Sequence, residues 1–286
     1  MNLGSKRVVI TGAASGIGKA LAEALAAAGA RLMLADLDEK RVEGLAEELG
    51  EATGIACDVS DHSAVERLAE TAHAVLGGVD LVFANAGTIL NGPLINASPA
   101  EFDWLMGVNL RGAWSCMTVF ARLMLSQPDG GRICLTASEH ALGMQHTGAG
   151  VYTASKQAAL GLAEVLRAEL PPAVGISVFC PGLVATGLAN AVIPGHLPQP
   201  RTHQRAFSRA VLAKGMSAAE AAQAAIAGVC RGDDLIVTHP NSFAAAERRF
   251  AAISEAFAAQ APVGDDANRY DVNQIVAYLI TAQKDS

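Results

Sequence analysis

Tyr152 and Lys156 are the residues of this sequence whose types and spacing most directly indicate chemistry. They stand four positions apart in "YTASK", within an amphipathic pattern that predicts a helix over residues 151–170. Residues four apart lie on one face of a helix, so the phenol and the ammonium are expected to be neighbours. A nearby cation lowers the pKa of a tyrosine and suits it to acid/base catalysis. The alternative is an ordinary surface pair.

A second group of residues follows the first apolar run, "RVVIT". Gly12, Gly16 and Gly18 open the next amphipathic segment, which allows a tight turn and the approach of a pyrophosphate to a helix N-terminus. Asp36 ends the second apolar run, near the spacing of about 20 residues expected for an acid that binds the adenosine ribose. Together they favour dinucleotide binding. Glycine turns also occur for packing, and Asp36 could instead be a helix N-cap or turn residue.

The elements that must position these residues alternate along the chain. Short aliphatic runs alternate with longer amphipathic segments, which predicts an α/β fold with a doubly wound, seven-stranded parallel sheet and helices on both faces. The predicted strands are residues 7–11, 31–35, 54–57, 79–84, 131–137, 174–179 and 234–239. The predicted helices are residues 17–28, 39–49, 62–76, 100–126, 151–170 and 218–230. Ligands of such sheets bind beyond the carboxyl ends of the strands.

Two regions depart from the alternation. Residues 188–215 are rich in proline and lack sustained periodicity, which predicts an irregular lid. Residues 242–286 contain two helical patterns, 244–260 and 270–283, joined by the breaker "PVGDDAN". We therefore predict a catalytic domain over residues 1–241, including the lid at 188–215, and a helical C-terminal extension over residues 242–286.

The composition argues against several classes of function. The 286 residues are 51% hydrophobic and 17% charged, which is typical of a compact globular enzyme. A net charge of −7 without a basic run argues against a nucleic-acid partner. The sequence contains no apolar run of about 18 residues, so no membrane span is predicted. The five widely spaced cysteines predict reduced thiols, with neither disulfides nor a metal site. The chain also starts without the pattern of a secretory signal, so we expect it to be cytoplasmic.

Six motifs follow one another in a fixed order along the chain. They are "TGAASGIG" (11–18), "CDVS" (57–60), "NAG" (85–87), "VNL" (108–110), "YTASK" (152–156) and "PGLVAT" (181–186). In this order they resemble the short-chain dehydrogenase/reductase family, over roughly residues 5–240. The resemblance implies a Rossmann-fold, NAD-dependent oxidoreductase.

The resemblance also implies roles for individual residues. Tyr152 would be the general acid/base, Lys156 its activator and a ribose contact, Ser138 the partner of the substrate oxygen, and Asn109 the fourth member of a proton relay. Ser138 stands about one residue further from Tyr152 than is usual in the family, so Thr136 is the alternative hydroxyl. The cofactor contacts implied, besides Tyr152 and Lys156, are Gly12, Ser15, Gly16, Ile17, Gly18, Asp36, Asp58, Val59, Asn85, Ala86, Gly87, Pro181, Gly182, Val184 and Thr186.

The reaction implied is hydride transfer between NAD(H) and an alcohol or ketone. The candidate substrate lining is mostly apolar, which suggests a hydrophobic secondary alcohol or ketone; it comprises Leu142, Met144, His146, Leu183, Leu188, Val192 and Ile193. Two alternatives stay open. One is a nucleotide-binding sensor that has lost turnover, and the other is an epimerase or dehydratase on the same scaffold.

The predicted cofactor is NAD rather than NADP. Asp36 can accept hydrogen bonds from ribose hydroxyls, whereas a 2′-phosphate there would bring like charges together. Relatives that use NADP usually carry Arg or Lys where this chain has Ser15 and Leu37. Lys40 and Arg41 come slightly later and are expected on the solvated face of the next helix.

The remaining conspicuous side chains favour structural interpretations. His140 and His146 stand near glycines, which predicts a loop with solvated or pocket-lining histidines rather than metal ligands. Trp104 and Trp114 are expected to be packing or subunit contacts. The apolar surplus on helices 100–126 and 151–170, with the family resemblance, predicts a homodimer or homotetramer. The C-terminal extension would then pack on a neighbour or over the lid.

Overall fold

A parallel β-sheet lies at the centre of the fold. The computed structural model of the chain describes residues 3–200, 202–261 and 270–284. The strands are β1 (Arg7–Thr11), β2 (Arg31–Asp36), β3 (Ala52–Ala56), β4 (Leu81–Ala84), β5 (Gly131–Thr136), β6 (Val174–Cys180), β7 (Val184–Ala185), β8 (Met216–Ser217) and β9 (Leu235–Val237). Within these described ranges, seven strands form one parallel sheet in the order β3-β2-β1-β4-β5-β6-β9, and β7 pairs with β8. The order changes direction between β1 and β4, where doubly wound sheets bind their ligands.

Helices connect the strands. They are α1 (Gly16–Ala27), α2 (Glu39–Leu49), α3 (His62–Leu76), α4 (Pro99–Met106), α5 (Gly112–Leu125), α6 (Glu139–Leu142), α7 (Gly150–Glu169), α8 (Thr202–Leu212), α9 (Ala218–Arg231), α10 (Phe243–Gln260) and α11 (Val272–Lys284). Several begin at residues that the sequence pattern favours. Asp38 and Asp61 cap α2 and α3, and Ser98 and Ser217 form capping boxes at α4 and α9.

Alternate residues of the strands contribute side chains to two hydrophobic cores, one on each face of the sheet. Val9 and Met33 belong to the core that includes residues of α3, α5 and α7. Ile10 and Leu34 belong to the core that includes residues of α1 and α9. Successive side chains of a strand point to opposite faces, so both faces need helices to cover them. The predicted doubly wound fold is confirmed.

Two predicted elements were wrong in part. The helix expected over residues 100–126 is interrupted by a π-helical turn, Gly107–Arg111, between α4 and α5. The lid expected to be irregular over residues 188–215 contains α8, an amphipathic helix that begins at Thr202. The prolines lie before Thr202 and do not prevent a helix after it.

The chain divides into two compact units, one ending at Phe243 and the other beginning at Ala244. The second unit contains most of α10 and all of α11, and its large apolar side chains, including Phe257 and Tyr278, are exposed. The predicted breaker "PVGDDAN" lies outside the described residues. Among the helices that the structure describes, none is both long and apolar enough to traverse a bilayer.

Candidate active site

Tyr152 and Lys156 lie side by side in the first turns of α7, and both are buried. The Lys156 Nζ lies 5.8 Å from the centroid of the Tyr152 ring. It donates a hydrogen bond of 2.9 Å to the carbonyl of Thr136, at the end of β5. Long charged side chains are rarely buried without a role or a partner. The surface-pair alternative is therefore wrong.

The pKa values of the pair are set mainly by burial. Burial raises the pKa of the Tyr152 phenol, the hydrogen bond from Ser138 opposes this, and the Glu139 carboxylate adds to the rise. Burial lowers the pKa of Lys156 to about 8. The prediction that the pKa of Tyr152 is lowered is wrong when only the protein's own groups act on the phenol. Desolvation of the phenolate outweighs the favourable contacts.

Ser138 is the hydroxyl that the fold brings to the phenol. It follows β5 as the N-cap of α6, accepts a hydrogen bond from the His140 N–H, and hydrogen-bonds Tyr152. The alternative, Thr136, is buried, and its hydroxyl has no hydrogen-bond partner within the described residues. The extra residue between Ser138 and Tyr152 is thus accommodated without changing which hydroxyl faces the phenol.

Asn109 lies in the π-helical turn, an irregularity that often marks functional sites. Its side chain accepts a hydrogen bond of 2.8 Å from the Thr88 N–H and donates one of 2.9 Å to the Thr88 carbonyl. It also donates to the Ser155 hydroxyl, which donates to the Tyr152 carbonyl. The sequence analysis missed Ser155, which ties the turn to the helix that carries Tyr152.

The loop between β1 and α1 is built around its glycines. Gly12 and Gly16 have φ of 66° and 53°, a region that favours glycine. A Cβ at Gly18 would lie 2.0 Å from the Gly12 carbonyl oxygen. Ser15 is the N-cap of α1, and its side chain makes no capping hydrogen bond. The first N–H groups of α1 can therefore serve an anion.

Asp36 holds the backbone of this loop. One carboxylate oxygen accepts a hydrogen bond of 2.9 Å from the Ala14 N–H, and the other accepts from the Asp38 N–H. Arg41 was expected to lie on the solvated face of α2, but its guanidinium reaches back and donates 3.0 Å to the Ala14 carbonyl. The adenosine end of the candidate site therefore contains one carboxylate and one guanidinium.

The other predicted cofactor contacts lie at the ends of neighbouring strands. Asn85 donates to the carbonyl of Thr11, and the Thr11 hydroxyl accepts from the Asn85 and Ala86 N–H groups. Asp58 accepts from the N–H and hydroxyl of Ser60. The remaining predicted contacts are Ile17 in α1, Val59 after β3, Gly87 after β4, and Pro181, Gly182, Val184 and Thr186 after β6.

His140 differs from its predicted environment. Of the two predicted alternatives, solvated or pocket-lining, the solvated one is wrong for this residue. It is buried, lies in α6 rather than in a loop, and its Nδ1 lies 2.7 Å from the Thr153 hydroxyl. Its ring packs edge-on against Tyr152 and His146, with centroid distances of 5.5 and 4.8 Å. His146 itself is exposed. Burial, followed by the charge of His146, lowers the pKa of His140 to about 4.

Acidification is expected to destabilise the fold partly through His140. Its pKa is about 4 in the folded chain and 6.5 ordinarily, so between these values only the unfolded state binds the proton. The stability from this residue is complete above pH 6.5 and decreases toward pH 4, by about 1–2 kcal/mol at about pH 5. Urea unfolding near neutral pH and near pH 5 measures it. His140→Asn should lose less stability on acidification than the parent, and an equal loss would contradict the prediction.

Comparison with known proteins identifies the family. Residues 6–196 match the family model described as short chain dehydrogenase. The chain belongs to the short-chain dehydrogenase family. The resemblance drawn from the six motifs is therefore confirmed.

Two relatives and one solved structure show how far the similarity extends. The probable oxidoreductase EphD of Mycobacterium tuberculosis is 37% identical over 191 residues, covering 65% of this short-chain dehydrogenase and 32% of EphD. This chain thus spans about a third of the length of EphD. The 1-deoxy-11-beta-hydroxypentalenate dehydrogenase of Streptomyces avermitilis is 36% identical over 200 residues, covering 68% and 74% of the two chains. A short-chain dehydrogenase/reductase from Burkholderia phymatum, in complex with NAD, superposes with a TM-score of 0.83 and 35% identity, over 89% and 96% of the chains.

Proposed function

We propose that this short-chain dehydrogenase transfers a hydride between NAD(H) and a hydrophobic secondary alcohol or ketone. The observation that carries the proposal is the buried Tyr152, hydrogen-bonded to Ser138 and adjacent to Lys156, at the sheet edge that also holds the glycine loop. The Burkholderia phymatum relative, which is in complex with NAD, and the Streptomyces avermitilis dehydrogenase support it.

The loop after β1 has the shape and polarity that a dinucleotide requires. The space beside Gly18 admits no side chain, and the N-terminus of α1 has no side-chain cap. Its N–H groups would bind the pyrophosphate. Asp36 would bind the adenosine ribose. Thr186, whose side chain would lie 3.1 Å from a Cβ placed on Gly16, would orient the carboxamide.

When bound, NAD supplies hydride chemistry at C4 of its nicotinamide. In alcohol oxidation the Tyr152 phenolate takes the hydroxyl proton, and the Ser138 hydroxyl donates a hydrogen bond to the substrate oxygen. Lys156 would stabilise the phenolate and hold the nicotinamide ribose. Asn109 would complete the proton relay by holding a water near Lys156. In ketone reduction Tyr152 returns the proton to the oxygen.

The candidate substrate lining supports a hydrophobic substrate. Leu142, Leu183 and Ile193 are half-buried, and Met144 and Val192 are exposed. The exposed Met144 and Val192 side chains offer apolar area that a substrate could cover. Burying that area would stabilise the complex by about 25 cal/mol for each Å².

The test is incubation of the protein with NAD or NADP and a panel of secondary alcohols, followed through the absorbance of the reduced cofactor. Turnover with apolar secondary alcohols is expected. Cofactor binding without turnover would favour the sensor. Conversion of substrate without net change in cofactor oxidation would favour the epimerase or dehydratase.

We expect the protein to form a homodimer or homotetramer. Trp114 and Leu125 on α5, and Val165 on α7, are large apolar side chains that remain exposed in the single chain. A second copy packed on these helices would bury them. Light scattering at micromolar concentration measures the mass, and a monomer would contradict the prediction.

The C-terminal unit is expected to matter for assembly or for substrate binding. Its exposed apolar side chains, such as Phe250 and Leu279, exceed what a solvated helix needs. Deleting residues 245–286 should change the number of chains in the oligomer or raise the Michaelis constant for substrate. If both quantities keep the parent values, the unit has neither role.

A further inference from the structure

His239 connects the end of the last strand of the sheet to the segment that follows β6. Its Nδ1 lies 3.2 Å from the Gly182 backbone nitrogen, and its Nε2 lies 3.1 Å from the Leu183 carbonyl oxygen. The two ring nitrogens thus contact backbone groups of two consecutive residues that stand more than fifty positions away in the sequence. Gly182 and Leu183 are the second and third residues of the "PGLVAT" segment.

These partners determine the protonation of the ring. A peptide N–H can only donate, so Nδ1 must be unprotonated to accept from Gly182. A carbonyl can only accept, so Nε2 must carry the proton and donate it to Leu183. The Thr238 hydroxyl, 2.7 Å from Nδ1, can also donate to it. With Nδ1 as the acceptor and Nε2 as the donor, the contacts to Gly182 and Leu183 hold the ring in a single orientation.

The strand register explains why His239 reaches this segment. β6 and β9 are parallel neighbours, and Cys180 is paired with Val237. Two residues beyond that pair, Gly182 and His239 lie opposite each other, so the ring extends the ladder after the strands end. The fit is close, because a Cβ at Gly182 would lie 2.4 Å from the His239 Cγ and 2.9 Å from the Glu139 Oε2.

Neighbouring contacts hold the same segment from other directions. The Pro181 carbonyl accepts a hydrogen bond of 2.9 Å from the Glu139 N–H. The Glu139 carboxylate accepts one from the Ser242 hydroxyl, just after His239. The Leu183 carbonyl also accepts from the Met216 N–H at 2.9 Å. From the β9 side, His239 holds the Gly182 N–H and the Leu183 carbonyl, and the Thr238 hydroxyl also accepts from the Gly182 N–H at 3.4 Å.

We propose that His239 is a positioning residue for nicotinamide binding: it fixes the Gly182–Leu183 backbone so that the following residues, up to Thr186, meet the bound cofactor in one conformation. The inference rests on the proposed function, because that function places the nicotinamide at this segment. His239 need not touch the cofactor. Its effect is to reduce the conformational freedom that binding would otherwise have to remove.

The experiment is a fluorescence titration of NADH with the parent and with His239→Phe, which keeps a ring but loses both hydrogen bonds. The dissociation constant is expected to rise by roughly tenfold, as for the loss of one or two hydrogen bonds. His239→Asn retains an acceptor near Nδ1, and His239→Gln retains a donor near Nε2. Each should give an intermediate constant. His73→Phe, which changes an exposed histidine of α3, is the matched control and should bind like the parent.

A second measurement separates positioning from general stability. Amide exchange at Gly182 should be faster in His239→Phe than in the parent, at a temperature where circular dichroism shows both to be folded. If folded His239→Phe binds NADH within about twofold of the parent, the inference is overturned and the proposed function stands. If His239→Phe does not fold, parent-like binding by both the Asn and Gln variants overturns it. If the parent itself binds neither NADH nor NADPH, the proposed function fails and the inference fails with it.

Discussion

Tyr152→Phe is expected to reduce turnover by roughly a thousandfold, within the range that general acid/base catalysis contributes. The substitution removes the oxygen that exchanges a proton with substrate and changes little volume. The Tyr152 phenol is buried and hydrogen-bonded to Ser138, and Tyr152 is the one tyrosine among the described residues of the unit that ends at Phe243. Steady-state rates with the best alcohol of the panel measure the effect.

Cofactor affinity should separate this variant from a damaged fold. NADH should bind Tyr152→Phe within about threefold of the parent, because the phenol oxygen contributes at most one hydrogen bond to the cofactor. Tyr278→Phe is the matched control, since Tyr278 is exposed on α11. It should keep the rate of the parent. Turnover of Tyr152→Phe within tenfold of the parent would show that another group moves the proton.

That Tyr152 and Lys156 are neighbours could be predicted from their spacing, whereas their catalytic roles rest on the family resemblance and their electrostatics could not be predicted. A spacing of four positions puts two side chains on one face of a helix, and this is sufficient to make Tyr152 and Lys156 neighbours. The direction in which the pKa of Tyr152 shifts depends on how deeply the phenol is buried, and this depth cannot be predicted from the local sequence. Burial of Lys156 also lowers the pKa of the residue that was expected to act as a full positive charge.

Contacts between distant segments explain most of what the sequence did not predict. The alternation of apolar runs identifies each strand, but the pairing of β6 with β9 that brings His239 to Gly182 is a property of the assembled sheet. His239 does follow the last predicted strand, so a search of every strand end for polar side chains could have found it. The π-helical turn at Asn109 had no comparable signal, since its residues continue a helical pattern.

Arg41 shows a further limit, because a long side chain can leave the face on which its Cα stands. It stands in the first turn of α2, yet its guanidinium hydrogen-bonds the Ala14 carbonyl in the glycine loop. This places a cation near the loop that Asp36 also holds, where Asp36 would bind the adenosine ribose. The preference for NAD therefore depends on the balance between one carboxylate and one guanidinium, both of which the loop backbone holds.

NAD is nevertheless expected to be preferred over NADP by at least about tenfold in kcat/KM, a difference of about 1.4 kcal/mol in transition-state stabilisation. The Asp36 carboxylate accepts from the Ala14 and Asp38 N–H groups and still has lone pairs for ribose hydroxyls. A 2′-phosphate would meet this fixed negative charge at close range. Arg41 already donates to a carbonyl, so its charge only partly offsets the repulsion.

Asp36→Ala combined with Leu37→Arg should invert the preference and change the ratio of the two efficiencies by roughly a hundredfold. The double variant removes the repelling carboxylate and adds a second guanidinium directly after β2, and guanidinium groups are strong donors to phosphate. Lys40→Ala, which removes an exposed cation of the same helix, is the control and should leave the ratio unchanged. Initial rates with each cofactor over a range of concentrations give both efficiencies. Equal efficiencies in the parent would mean that Asp36 serves the loop backbone alone and that Arg41 compensates its charge.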